Sequence, residues 1–257
     1  MLTINRCLIL TIVIFAYANT LKSKARADAP IYIYAAASTR NAVDKTIKQF
    51  PRDEKTRISA VYGATSALAR QILDGAPAAL FLSANKGWMD IIIKAELVAK
   101  HKSIFSNRLV VISPKNNSRQ IKIVSAQDIV TTIGNGRLSV AETSAVPAGI
   151  YSRQAMKSLK IWGVMNNKLA QSANVRAALA LVERGETPLG FVYQTDAKAS
   201  PYVNLEWKIP ENTHEKILYP LALIKTSETH SETKRLFNFF SSPEGRKIFS
   251  EFGFEVD

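Results

Sequence analysis

Four short segments combine small residues with hydroxyl or amide groups, a mixture that suits the binding of an anion. They are Ala37-Ser38-Thr39, Gly63-Ala64-Thr65-Ser66, Val146-Pro147-Ala148-Gly149 and Ser172-Ala173-Asn174-Val175. Each stands where a predicted helix begins. The first turn of a helix leaves N–H groups without internal partners and carries partial positive charge. Small residues let an anion approach those amides, and serine or threonine adds a hydroxyl donor.

The same residue types also serve as simple helix caps, and for any single segment capping alone is the commoner role. Spacing along the chain does not show whether the four segments meet in space. A shared anion site and four separate caps therefore both stay open at this point.

Alternating strands and helices must position these segments. Apolar β-rich runs predict strands at Ile31–Ala35, Ile58–Tyr62, Leu80–Ser83, Leu109–Ser113, Leu138–Ala141, Leu189–Tyr193 and His214–Ile224. Amphipathic spacing predicts helices at Asn41–Phe50, Ala67–Asp74, from Lys86, and at Tyr151–Lys160, Val175–Glu183, Ser231–Phe240 and Pro243–Phe252. This alternation predicts βαβ units and parallel sheets, in one large domain or two lobes. Because no flexible linker is present, two lobes would be joined by crossing strands, for which Leu109–Ser113 and Tyr219–Ile224 are the candidates.

The first 27 residues predict a secretory signal peptide rather than a part of the fold. Arg6 precedes the apolar run from Leu8 to Ala18, which is short for a membrane span. Small residues allow cleavage after Ala18 or after Ala27, and the second is preferred because Ala29-Pro30 then leads straight into the first strand. An uncleaved anchor is the alternative. We therefore expect a periplasmic protein.

Charge and cysteine content exclude several classes of function. The only cysteine, Cys7, lies in the predicted signal, so the mature chain has no disulfide and no thiolate site. Losing residues 1–27 removes four basic and no acidic residues, which lowers the formal charge from +13 to +9. This excess favours anionic partners, but the basic residues are scattered without the stripe that nucleic-acid binding requires. No catalytic or cofactor motif is present, so we predict no enzyme, no cofactor and no nucleic-acid partner.

Segments along nearly the whole mature chain match one protein family in order. They include Ala35-Ala36-Ala37-Ser38-x-x-Asn41-Ala42, Ser66-Ala67-Leu68-Ala69-Arg70-Gln71-Ile72, Asn107-x-Leu109-Val110-Val111, Val146-Pro147-Ala148-Gly149-Ile150-Tyr151, Pro188-Leu189-Gly190-Phe191-Val192-Tyr193 and Tyr219-Pro220. In these segments the sequence closely resembles the periplasmic molybdate-binding proteins of ABC importers. The resemblance implies the α/β type II periplasmic binding fold, with two lobes, each a mostly parallel sheet flanked by helices, and a cleft between them. Residues 28–109 and 223–257 would form lobe 1, and residues 110–222 lobe 2.

The resemblance also implies five ligand-binding residues. Members of this family hold tetrahedral molybdate or tungstate with hydroxyls and main-chain amides rather than arginines. Ser38 matches the first hydroxyl donor, Thr65 stands in place of a second serine, and Tyr193 matches the tyrosine that completes the site. Ala148 and Val175 match positions whose N–H groups face the anion. The protein would coordinate no metal directly, because the metal is bound as its oxyanion.

Two positions and one loop depart from the family's pattern. Thr65 replaces the usual serine, so the neighbouring Ser66 could supply the second hydroxyl instead. Ala79 replaces a common acidic residue, with an expected effect on the edge of the cleft. The loop Glu142-Thr143-Ser144-Ala145 is unusual, so the assignment of Ala148 depends on the match of Val146-Pro147-Ala148-Gly149 alone.

The function implied by the resemblance is that of a monomeric, exported protein that captures molybdate or tungstate and delivers it to an inner-membrane ABC permease. The motifs do not rank the two metals. Three alternatives stay open: a protein of the same fold for another oxyanion such as sulfate or phosphate, an interaction module without a small ligand, and an exported hydrolase. The last would use Ser38 as nucleophile, but the sequence offers no His–Asp pattern to activate it. For Arg70 and Arg176 we expect positions at the surface or lobe edge rather than contact with the anion.

Overall fold

Strands and helices alternate along the chain and sort into two five-stranded sheets. The computed structural model describes residues 30–116 and 122–256, so the predicted signal peptide, residues 1–27, lies outside the described residues. The strands are β1 (Ile31–Ala36), β2 (Ile58–Gly63), β3 (Leu80–Leu82), β4 (Val98–Asn107), β5 (Leu109–Pro114), β6 (Leu138–Ala141), β7 (Leu169–Ser172), β8 (Leu189–Tyr193), β9 (Val203–Lys208) and β10 (Ile217–Ile224).

The helices lie between these strands and after the last one. They are α1 (Arg40–Gln49), α2 (Thr65–Leu73), α3 (Lys86–Lys94), α4 (Ala126–Ile133), α5 (Pro147–Ser158), α6 (Trp162–Met165), α7 (Val175–Glu183), α8 (Gln194–Ala199), α9 (Ser231–Phe240) and α10 (Pro243–Glu251). Within the described ranges, no helix has both the length and the apolar character needed to cross a membrane.

Each sheet contains a single reversed strand. The first sheet has the order β2-β1-β3-β10-β4, and the second has the order β7-β6-β8-β5-β9. In the first sheet β1, β2 and β3 pair in parallel, and β10 runs antiparallel to both of its neighbours. In the second sheet β6, β7 and β8 pair in parallel, and β5 is the antiparallel strand. Four of the five strands in each sheet therefore point the same way, which confirms the predicted mostly parallel sheets.

Both faces of the first sheet are covered, as parallel strands require. Alternate residues of β1 face opposite sides, so that Tyr34 packs against α2 and α3 while Ile33 belongs to the core on the other face. The core on the α2 and α3 side includes Tyr34, Leu68, Phe81, Met89 and Ile92. We call this sheet with α1, α2, α3, α9 and α10 the first lobe, and the other sheet with α4 to α8 the second lobe.

Two passages join the lobes, and the pairing of the strands limits where each can lie. Asn107 is the last residue of β4 and Leu109 already pairs with Tyr193 in the second sheet, so the first passage is at Arg108. Strand β10 pairs within the first sheet from Ile217 to Ile224. The predicted boundary between residues 222 and 223 lies inside that strand. The N–H of Ile209 still donates to the carbonyl of Leu109 in the second sheet, so we propose that the return passage lies in residues 210–216.

Candidate ligand-binding cleft

A cavity lies between the lobes, where the parallel strands of both sheets end. Such carboxyl ends are the usual place for ligands in α/β sheets. The five residues assigned from the sequence all line it: Ser38, Thr65, Ala148, Val175 and Tyr193. The space among these residues is small: its empty volume is about 220 Å³, part of which is open to solvent. Its size therefore suits a small ligand.

The lining of this cavity carries no formal charge. None of its residues is aspartate, glutamate, histidine, lysine or arginine. Nor does the described part of the chain contain a group of three or more His, Cys, Asp or Glu side chains that could hold a metal ion. Only hydroxyls and main-chain amides at helix starts could therefore attract an anion here.

Ser38 reaches the cavity from the short helical turn Ala37–Thr39 that follows β1. The residue is 3% exposed, and its Oγ lies 2.9 Å from the hydroxyl of Tyr219. That hydroxyl also accepts a 3.3 Å hydrogen bond from Nδ2 of Asn107. Neither Tyr219 nor Asn107 was predicted as a site residue, although both lie in segments that carry the family resemblance.

Thr65 is the first residue of α2, a helix that begins without a side-chain cap. Its Oγ1 accepts a 3.0 Å hydrogen bond from the N–H of Ala84. The hydroxyl hydrogen of Thr65 is then free to point into the cavity. Ser66 is also buried but does not line the cavity. Of the two hydroxyls left open by the sequence, that of Thr65 is at the cavity.

The starts of two helices supply main-chain amides. Helix α5 begins at Pro147 with no side-chain cap, so the amide of Ala148 lacks both a cap and an internal helix partner. At α7 the side chain of Asn174 accepts the N–H groups of Arg176 and Ala177. Asn174 is thus a helix cap, but it leaves the amide of Val175 outside the capping interaction.

Tyr193 ends β8 with its side chain fully enclosed. The residue is 1% exposed, and among the described residues its hydroxyl has no hydrogen-bond partner. Burial raises the pKa of this phenol well above its ordinary value, so it stays protonated. A buried hydroxyl without a partner is costly and calls for an explanation. A ligand in the cavity would supply the missing acceptor.

A buried ion pair fixes the two second-lobe segments that carry Val175 and Tyr193. Asp196 is fully buried and accepts hydrogen bonds from Nε of Arg176 at 2.5 Å and from the N–H of Tyr193 at 3.3 Å. Burial raises the pKa of Asp196, and the positive charge of Arg176 opposes that shift. Arg176 does not line the cavity, and neither does Arg70, which lies 5.2 Å from the ring centre of Trp88.

Several hydrogen bonds join the lobes beside the cavity, and three of them are made by side-chain nitrogen atoms of Trp88, Asn85 and Arg176. Nε1 of Trp88 donates to the carbonyl of Ala145 at 2.8 Å. Nδ2 of Asn85 donates to the hydroxyl of Tyr151 at 3.0 Å. Nη2 of Arg176 donates to Oδ1 of Asn41 at 2.9 Å. Each bond connects a residue of the first lobe with one of the second, so the structure is the closed form of the cleft.

Ala79 was expected to affect the edge of the cleft, but it lies elsewhere in the first lobe. Its N–H donates to the carbonyl of Tyr32, and its carbonyl accepts from the N–H of Ile224. It lines a different cavity of the first lobe and does not line the one between the lobes. The methyl group of Ala79 is therefore a packing feature of the first sheet.

Comparison with known proteins agrees with this geometry. The sequence pattern of the family "Bacterial extracellular solute-binding protein" matches residues 31–255. The molybdate-binding protein ModA of Escherichia coli (strain K12) is 38% identical over 229 residues, which cover 88% of this chain and 89% of that protein. ModA of Haemophilus influenzae is 31% identical over 233 residues, with 90% and 91% covered. The solved periplasmic molybdate-binding protein of Azotobacter vinelandii has a TM-score of 0.78 at 16% identity, covering 88% of this chain and 99% of that one, and this likeness supports the predicted type II fold.

Proposed function

This chain belongs to the bacterial extracellular solute-binding proteins and, among them, to the molybdate-binding proteins of ABC transporters, and we propose that the cavity between its lobes is the molybdate site. The ligands would be the hydroxyls of Ser38, Thr65 and Tyr193 and the amides of Ala148 and Val175. Tungstate, an oxyanion of nearly the same size, would bind there too. The family is one of solute-binding proteins rather than enzymes, and it needs no cofactor.

The hydroxyl of Tyr193 is the observation that carries this assignment. It is buried at the cavity with no partner in the described structure. A tetrahedral dianion offers four acceptor oxygens, and a bound oxygen would satisfy this donor. Hydrogen bonds to charged groups contribute about 1.5–3 kcal/mol each. Several such neutral donors together can hold a dianion without an opposing charge.

Binding would involve closure of the two lobes about the anion. Ser38 and Thr65 belong to the first lobe, whereas Ala148, Val175 and Tyr193 belong to the second. An open protein would present only half of the donors on each side, and the anion would draw them together in a hinge movement. The hydrogen bonds across the cleft, such as that between Trp88 and Ala145, would form in the same step.

Thermal unfolding with different anions tests this proposal. A ligand at 100 times its dissociation constant adds about 2.7 kcal/mol of stability, which raises the Tm of a protein of this size by roughly 5–10 °C. We expect that rise with molybdate and with tungstate, and a smaller rise or none with sulfate and phosphate. Equal shifts with sulfate or phosphate would contradict the assigned ligand. An unchanged Tm with every anion would instead favour an interaction module or a hydrolase.

Molybdate affinity should be nearly constant between pH 6 and 8. No carboxylate, imidazole or amine lines the cavity. Burial raises the pKa of the Tyr193 phenol, so it remains a donor in this range. The ring centre of His214 lies 6.0 Å from that of Tyr151. Burial lowers the pKa of His214, so its side chain is uncharged at any pH above the ordinary pKa of histidine. Isothermal titration calorimetry at pH 6, 7 and 8 measures this, and a change beyond about threefold would reveal a titrating group in the site.

Export and delivery complete the proposed function. We propose that residues 1–27 are removed during secretion, that the mature monomer works in the periplasm, and that it delivers its anion to an inner-membrane permease. The mass of the exported chain distinguishes cleavage after Ala27 from cleavage after Ala18. Size-exclusion chromatography with light scattering tests the monomer.

A further inference from the structure

Both hydroxyl oxygens that the first lobe places at the cavity have a hydrogen-bond partner in the protein. Oγ1 of Thr65 accepts from the N–H of Ala84 at 3.0 Å. Oγ of Ser38 lies 2.9 Å from the hydroxyl of Tyr219, and either atom could be the donor. A hydroxyl can donate one hydrogen and accept at its lone pairs, so the direction of this bond decides what Ser38 presents to the cavity.

The surroundings of Tyr219 fix that direction. The residue is fully buried, and the hydrogen-bond partners of its hydroxyl in the described structure are Ser38 and Nδ2 of Asn107. Oδ1 of Asn107 accepts the N–H of Arg108 at 2.9 Å, which identifies the other amide atom as the NH₂ group. An NH₂ group cannot accept a hydrogen bond. The hydrogen of Tyr219 must therefore go to Oγ of Ser38.

We propose that Tyr219 determines the specificity of the cleft by forcing Ser38 to act as a hydrogen-bond donor. Because Ser38 receives the hydrogen of Tyr219, its own hydrogen is left for the cavity. Asn107 acts indirectly: because its NH₂ group cannot accept a hydrogen bond, the hydroxyl of Tyr219 can donate only to Ser38. Tyr219 does not line the cavity, so it is a positioning residue rather than a ligand.

This arrangement selects against oxyanions that carry a hydrogen. This prediction rests on the proposed function: molybdate has four oxygens without hydrogen, so each of them can accept a hydrogen bond from the donors of the cavity. Phosphate carries at least one hydrogen at neutral pH, and that hydrogen would face the hydrogen of Ser38 or of Thr65 with no acceptor to receive it. Buried polar groups left unpaired make such discrimination strong. Sulfate has the same shape as phosphate but no hydrogen, so a comparison of the two separates this effect from size.

The variant Tyr219→Phe keeps the ring and removes the hydroxyl. Ser38 can then rotate and accept a hydrogen from the ligand. We expect molybdate to bind more weakly. We also expect the ratio of the phosphate inhibition constant to the molybdate Kd to fall by at least tenfold. Sulfate should weaken in parallel with molybdate. Calorimetry gives the Kd for molybdate, and displacement of bound molybdate gives the inhibition constants of sulfate and phosphate.

A second variant reverses the hydrogen bond between Tyr219 and Ser38 and leaves Tyr219 itself unchanged. Asn107→Asp places a carboxylate where the NH₂ group was, so Tyr219 donates to it and Ser38 then donates to Tyr219. A lone pair of Ser38 then faces the cavity, and phosphate should again gain at least tenfold relative to molybdate. The added charge weakens all dianions, which is why the ratio is measured. Tyr62→Phe is the matched control, since that hydroxyl binds Asp44 and its residue does not line the cavity.

The outcomes separate this inference from the function on which it rests. A gain for phosphate over molybdate in both variants, with Tyr62→Phe unchanged, supports it. Phosphate that weakens in step with sulfate, or that still fails to compete in either variant, overturns it and makes Tyr219 a merely structural residue. If the unmodified protein binds neither molybdate nor any other oxyanion, the proposed function itself is wrong, and this inference falls with it.

Discussion

Replacing Tyr193 by phenylalanine should weaken molybdate binding by roughly 10- to 150-fold, the equivalent of about 1.5–3 kcal/mol for one hydrogen bond to a charged group. The same change should not lower the stability of the ligand-free protein. Its hydroxyl has no partner in the described structure, so phenylalanine relieves an unfavourable burial. Binding and stability are therefore expected to change in opposite directions.

Calorimetric titration and thermal unfolding of the ligand-free protein together check this expectation. Tyr202→Phe is a suitable control, because that side chain is exposed and lies away from the cavity. An affinity within about twofold of the unmodified protein would remove Tyr193 from the site. A large fall in ligand-free Tm would show instead that the hydroxyl supports the fold.

Gly149→Ala is expected to damage both the fold and the site. A methyl group at Gly149 would lie 2.1 Å from the carbonyl oxygen of Glu142 and 2.4 Å from that of Ala141. Both obstacles are main chain, so the start of α5 would have to move, and the amide of Ala148 would move with it. Overpacking of this kind costs about 1–3 kcal/mol, or roughly 2–12 °C in Tm for a protein of this size. Molybdate affinity should fall by tenfold or more, since displaced donors miss the anion.

Gly163→Ala provides the comparison for this change. A methyl group there meets no atom within 4 Å, and Gly163 lies in the helix α6, where alanine is favoured by about 0.5–1 kcal/mol. Scanning calorimetry and titration of both variants should show loss at Gly149 and little change or a small gain at Gly163. A Gly149→Ala protein with normal Tm and affinity would show that α5 can shift without cost.

Most strands and helices could be predicted because apolar periodicity marks elements buried in a core. Strands β6 and β8 and helices α7 and α9 begin and end at the predicted residues. Strand β4 was missed, since Lys100, His101 and Lys102 interrupt any apolar run at this sheet edge. Helix α5 was predicted to begin at Tyr151 but begins four residues earlier, at Pro147. Proline is in fact well suited to the first helical position.

The candidate site was predictable only in part. Helix starts after strands, together with the family resemblance, led to all five residues now seen around one cavity. The hydrogen bond between Tyr219 and Ser38 could not be predicted from any local sequence pattern, because the two residues are 181 positions apart in the chain. Their contact depends on β10 returning to the first sheet beside β3. Spacing within a segment carries no information about such a return.

The bonds that cross the cleft have a consequence for kinetics. The contacts of Trp88 with Ala145, of Asn85 with Tyr151 and of Arg176 with Asn41 can exist only when the lobes have met. An anion arriving at an open cleft does not encounter them, whereas a departing anion must wait until all three have broken. They should therefore lengthen the residence time of the bound anion and leave the association rate unaltered. The dissociation rate of the anion would then be set by protein groups that do not contact the anion.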